Sequence, residues 1–276
     1  MQPGCHNAEQ GSQTENGDGA SPDSARKCLL LTIEGSVVPH LLERWRDETT
    51  PVINAAAAER LALLAMHSRA SAAEHLLADL RGRGATVDDI LLDLFPGAAR
   101  HMGRLWEQDD CSFSEVTIGV MRLERLLDQL SGRTDAPPPL GAPTVMLSVM
   151  PGAQHALGLR IVEIYFRRAG WAVATPELAD MRQLERCVSG TDFDAIGLSA
   201  ACDVHNEDLE AAVSCVRCRS HNPDVVILVG GPLVLRAPPD FPARMGADGT
   251  ARDAALAPAV AAALIAARVS RRRAHA

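Results

Sequence analysis

From Thr144 onward the chain alternates short apolar runs with helix-like stretches, and this pattern most narrows what it can fold into. The runs Thr144–Val149, Trp171–Ala174, Ala195–Ser199 and Val225–Val229, with a last short one near Ala247, predict five strands. Between and after them, 157–169, 181–189, 206–221 and 253–268 read as helices. Each run is apolar throughout, as a strand covered on both faces requires. Strand, helix, strand in regular succession predicts a doubly wound parallel sheet of flavodoxin-like order 2-1-3-4-5.

The half before it reads differently. Between Pro51 and Leu130 apolar residues recur three and four apart, with turn and cap residues between. Helices are expected over 53–67, 71–81, 86–106 and 113–130, the third kinked by Pro96. Short connections between four such helices predict an up-and-down bundle. The stretch 132–143 holds Pro137-Pro138-Pro139 and Gly141-Ala142-Pro143, a stiff helix-breaking linker. The expected organisation is a disordered tail at 1–26, an N-terminal extension at 27–50, a helical cap at 51–131, the linker at 132–143, an α/β domain at 144–269 and a basic tail at 270–276.

Composition excludes several classes. A net charge of −8 argues against a chain that grips nucleic-acid backbone, and Arg271-Arg272-Arg273 reads as a solvated tail. There is no charged-then-apolar leader and no unbroken apolar run of about 18 residues, so no membrane span is expected. Seven cysteines without framework spacing fit reduced thiols in a cytoplasm. Cys215-x-x-Cys218 has no second pair and reads as helix thiols rather than a zinc site. Glu163, Glu177 and Asp180 form no convincing acid–base pair, and no phosphate-binding loop or nucleophile elbow is present.

In open α/β sheets ligands bind beyond the carboxyl ends of the strands. Three loops leave those ends here. The first, Pro151 to Gly158, carries His155, an imidazole fit for a transition metal, flanked by Gly152 and Gln154. The second is Gly197-Leu198-Ser199-Ala200-Ala201, and the third Gly230-Gly231-Pro232. Small residues at adjacent strand ends leave volume for something bulky and flat with a tail between them.

The segment Gly152-Ala153-Gln154-His155-Ala156-Leu157-Gly158 resembles the Asp-x-His-x-x-Gly motif of cobalamin-binding modules, related to those of methionine synthases. Ser199 matches their Ser-x-Leu position and Gly230-Gly231 their Gly-Gly. The stretches Leu94 to Ala99 and Met102 to Glu107 resemble the third helix of that family's helical cap. The resemblance covers roughly residues 53 to 268. It implies that His155 is the lower cobalt ligand, that Ser199 meets the displaced base and that Ala201 beside it belongs to the cofactor site. It also implies that Gly230 and Gly231 line the tail slot and that Trp106 closes the upper corrin face.

Two departures matter. The family aspartate is Ala153, so the carboxylate that would orient His155 is missing, and the Glu-His pair of the cap is Val116-Thr117. A site without these suits a sensor better than a catalyst. The run Leu31 to Leu42, the Pro-Gly-Ala-Gln-His loop and the altered cap resemble the AerR/PpaA antirepressors of purple photosynthetic bacteria. That resemblance implies a non-enzymatic, cobalamin-dependent light or redox regulator of photosynthesis genes. It would act by binding a CrtJ/PpsR-type repressor, with no sequence-specific DNA contact of its own. Hydroxocobalamin, or an alkylcobalamin before photolysis, is the expected cofactor. A corrinoid carrier for a methyltransferase, or a haem sensor on the same fold, are the alternatives.

Overall fold

A computed structural model describes residues 53–67, 70–131, 137–152, 156–201 and 204–275. The expected tail at 1–26 and extension at 27–50 lie outside the described residues.

Helical stretches come first: α1 (Ala55–His67), α2 (Ala70–Gly82), α3 (Val87–Asp89), α4 (Phe95–Glu107) and α5 (Phe113–Ser131). Thr86 opens α3 through a capping box with Asp89, each side chain meeting the other's backbone N–H at 3.0 and 2.8 Å. The disturbance expected at Pro96 takes the form of a π-helical turn, Ile90–Leu94, directly ahead of it. A proline removes one helical N–H and crowds the carbonyl four residues back, and the wider turn accommodates both. So 87–107 runs as one helical rod. Ser112 and Glu115 form a second capping box that starts α5.

The sheet is β1 (Thr144–Val149), β2 (Ala172–Ala174), β3 (Ala195–Ser199) and β4 (Val226–Gly230), parallel and ordered 2-1-3-4. Around it lie α6 (Leu157–Arg168), α7 (Met181–Gly190), α8 (Asn206–Arg219), the short α9 (Pro232–Arg236) and α10 (Phe241–Arg244), and α11 (Ala257–His275).

The expected fifth strand is absent among the described residues: four strands form, and a lone parallel bridge joins Leu228 to Gly249. Asp248 explains why. Its Oδ2 accepts the Ile227 N–H at 2.7 Å, a donor that a fifth strand would meet with a main-chain carbonyl. Arg217 and Arg268 hold the same carboxylate from α8 and α11. Gly246, at φ +76°, and Gly249 flank it, and neither favours extended pairing.

Two further expectations change. The last helix does not stop near Arg268 but continues to His275, because alanine and arginine favour helix throughout that stretch. Residues 254–271 are also long and apolar enough to cross a membrane by length and composition. One face of that stretch packs on the sheet, with Ala257 and Ala261 buried beside Leu228. Second, the helices before the sheet do not close their core among themselves. Leu61, Phe95, Met102 and Leu123 share one buried cluster with Leu157, Ile161 and Tyr165 of α6. Residues 52–276 form a single compact unit.

Candidate functional site at the strand ends

Register brings the carboxyl ends together. Val149, Ser199 and Gly230 lie side by side across β1, β3 and β4. Two residues back along each strand, on the same face, Leu147, Gly197 and Leu228 align, with Gly249 bridged to Leu228. In-register residues of parallel strands share a face. That face therefore carries Gly197, Ser199, Gly230 and Gly249, a run of small residues on the side covered by α6 and α11.

The turn after β4 folds back on the loop after β3. Gly231 sits at φ +91°, and a Cβ there would come within 2.5 Å of the Ala200 carbonyl oxygen and 2.8 Å of Ser199 Oγ. No other residue can hold this turn. The Ala200 N–H donates to the Gly230 carbonyl at 2.9 Å, and the Leu233 N–H to the Ala200 carbonyl at 3.2 Å. Ala201 follows, half-buried, its carbonyl accepting from Val204. Ser199, Ala201, Gly230 and Gly231 thus belong to one rim.

The first loop joins that rim at its root, where the Met150 N–H donates to the Ser199 carbonyl at 3.0 Å. Gly152, at φ +84°, donates to the Leu178 carbonyl at 2.9 Å. Gln154 and His155 lie outside the described residues. The chain resumes at Ala156 and enters α6, where Gly158 faces open space, as does Gly230.

Trp106 stands at the end of α4 and is 53% exposed, so it is no part of the helical core. The helix closes there in a Schellman turn: Asp109 N–H donates to the Trp106 carbonyl, Asp110 N–H to that of Leu105. Asp109 takes the left-handed backbone this turn requires, at φ 59°. Phe113, the first residue of α5, is 61% exposed. Sequence reasoning missed it. Its place beside the Ser112 cap, seven residues after Trp106, was the available signal. Thr117 turns its hydroxyl to the Phe113 carbonyl at 2.9 Å, and Val116 packs on the helical core. Neither presents a ligating group. His101 is largely covered, with Nδ1 3.0 Å from Arg104 and 4.0 Å from Glu59.

Among the described residues no three metal-ligating side chains converge. Burial pushes the Cys187 and Cys215 thiols up, which suits inert thiols rather than ligands. Thr250, whose hydroxyl is buried without a partner among the described residues, follows Gly249 on the outer edge of β4, near this same end of the sheet. A run of small residues at the strand ends, a turn only glycine can make and an orphaned hydroxyl together fit a ligand with a polar tail.

Comparison with known proteins gives the ligand's class. Residues 143–259 match the B12 binding domain family. This segment is similar to B12 binding domains. The chain is also 34% identical, over 122 residues, to an uncharacterized 20.5 kDa protein in the bchF-crtJ intergenic region of Rhodobacter capsulatus. That match covers 44% of this chain and 64% of the relative's length. Among solved structures the monomethylamine corrinoid protein of Methanosarcina barkeri shares the fold at 15% identity, TM-score 0.61, over 76% of this chain and 98% of that one. The family match falls on the segment that carries the rim.

Proposed function

We propose that the chain is a cobalamin-dependent regulator that acts by binding rather than by catalysis, an antirepressor for photosynthesis genes with a CrtJ/PpsR-type repressor as its partner. The observation that carries this reading is the 34% identity to a protein in the bchF-crtJ intergenic region, joined to the match with the B12 binding domain family. In this reading His155 holds the cobalt from the first loop. Gly152, Gln154 and Gly158 line that loop's approach. Ser199, Ala201, Gly230 and Gly231 take the tail, and Trp106, with Phe113, closes the upper face. Light would act on the free alkylcobalamin, whose cobalt–carbon bond is photolabile, and the hydroxo form so produced would be the one these residues hold.

The residues around the site favour a sensor. Ala153 gives His155 no carboxylate to raise its basicity, and Val116-Thr117 offers the upper face neither acid nor imidazole. His155 then captures hydroxocobalamin in preference to the bulkier adenosyl form, and repressor binding follows occupancy. A ligand shifts such an equilibrium only through unequal affinity for its two states.

Spectral titration in light and dark, with wild type and His155→Ala, tests this. Tight stoichiometric uptake of hydroxocobalamin by wild type, weak uptake of adenosylcobalamin in the dark and loss of the bound spectrum in His155→Ala are expected. Repressor capture should track uptake. Methyl transfer from the loaded chain to an acceptor would make it a corrinoid carrier instead, and preferential haem uptake with an intense Soret band would make it a haem sensor.

A further inference from the structure

The helix that leaves the His155 loop is also the helix that holds the cap. α6 begins at Leu157, two residues past His155, and its apolar stripe Leu157, Ile161, Tyr165 is buried in the cluster of the preceding helices. Polar contacts reinforce the stripe at both ends. Arg160, in the first turn, pairs with Asp128 of α5. At the other end Tyr165 Oη donates to Asp88 Oδ1 at 2.9 Å, and Arg168 donates to the same oxygen at 2.8 Å. The Arg168 guanidinium also lies 5.4 Å from the Tyr165 ring centroid.

Asp88 opens the helical rod 87–107, at whose far end Trp106 stands exposed. One carboxylate therefore joins the rod that presents Trp106 to the helix that issues from the His155 loop. The Asp88–Arg168 pair is half exposed and contributes little by itself. Tyr165 is buried as a residue, at 8% exposure, and its hydroxyl, part-buried against Asp88, would lose that acceptor at a cost if the rod moved away.

We propose that Tyr165 is a positioning residue that couples the strand-end loop to the cap through Asp88, so that occupancy at the rim is felt along residues 87–107. The inference rests on the cobalamin reading of the rim for its ligand, though the coupling contact itself exists without ligand. Tyr165 touches nothing in the rim. It acts through α6, a rigid element shared by both halves.

Hydrogen exchange on the full chain, free and with hydroxocobalamin, tests it. In Tyr165→Phe, which keeps the ring, exchange over 87–107 in the free protein should rise about tenfold, while 181–219 stays unchanged and reports an intact fold. The extra protection that hydroxocobalamin confers on 87–107 in wild type should shrink in that variant, with uptake retained. Asp88→Asn keeps an oxygen to accept from Tyr165 and should behave as wild type, which a simple ion-pair role would forbid. Wild-type exchange over 87–107 in free Tyr165→Phe, or Asp88→Asn as loose as Tyr165→Phe, overturns the proposal. If wild type takes up no cobalamin, the reading of the rim falls, and the free-protein comparison still decides the coupling contact.

Discussion

Gly231 is the residue on which the rim depends most directly. Its φ of +91° is costly for any side chain, and a Cβ would drive into the Ala200 carbonyl and the Ser199 hydroxyl. Gly231→Ala should destabilise the fold by about 3 kcal/mol in urea unfolding and weaken hydroxocobalamin uptake as well. A variant of unchanged midpoint would show that the turn has room to relax. Trp106 gives the opposite pattern. At 53% exposure it holds no core together, so Trp106→Ala should alter stability by no more than about 0.5 kcal/mol while cobalamin affinity falls or the preferred upper ligand changes. Equal losses of stability and affinity would return it to a packing role. The periodicity of the sequence could not separate these two roles for Trp106. A helix-terminal tryptophan fits either, and only its exposure in the fold shows that the ring stands outside the core.

Among the elements, β1, β3 and β4 were legible because each is a mostly apolar run with both faces covered, and the half-buried edge strand β2 because it is short and apolar. The missing fifth strand was not. Ala247 looks like the centre of a strand only while Asp248 is taken for an ordinary solvated aspartate. In the fold Asp248 is a structural acceptor that ties β4, α8 and α11 together. Burial alone would raise its pKa, but the Ile227 N–H, Arg217 and Arg268 more than offset that and hold the carboxyl below its usual value. A carboxyl depressed in the folded state contributes stability that is complete above the ordinary aspartate value of about 3.9 and disappears as pH falls through the folded value. Asp248→Asn should therefore cost about 2 kcal/mol near neutral pH, and the gap from wild type should close as the solution is made strongly acidic. A gap of constant size across that range would mean the carboxylate's charge does no stabilising there. The π turn before Pro96 was half legible: the proline marks the place, but not whether the helix bends or widens.

At the scale of the whole molecule, the open question in the sequence was which surface each amphipathic helix serves. Leu157, Ile161 and Tyr165 announce an apolar stripe on α6, and nothing in their spacing says that the stripe belongs to the helices before the linker. Phe166, on the other side of the same helix, meets Trp171 edge-on at 5.0 Å in the core beneath the sheet. One helix is thus built into two cores, and a proline-rich linker in the sequence does not imply two independent melting units. Because Ile161 is 3% exposed within the shared cluster, Ile161→Ala should cost about 3 kcal/mol. It should lower the stability of the cap and of the sheet together. Calorimetry of the full chain should accordingly give one transition for residues 53–275, with calorimetric and van't Hoff enthalpies in agreement, in wild type and variant alike. A cap that melts ahead of the sheet in Ile161→Ala, with Trp171 fluorescence still native, would show that the two cores are coupled too weakly for α6 to carry a signal between them.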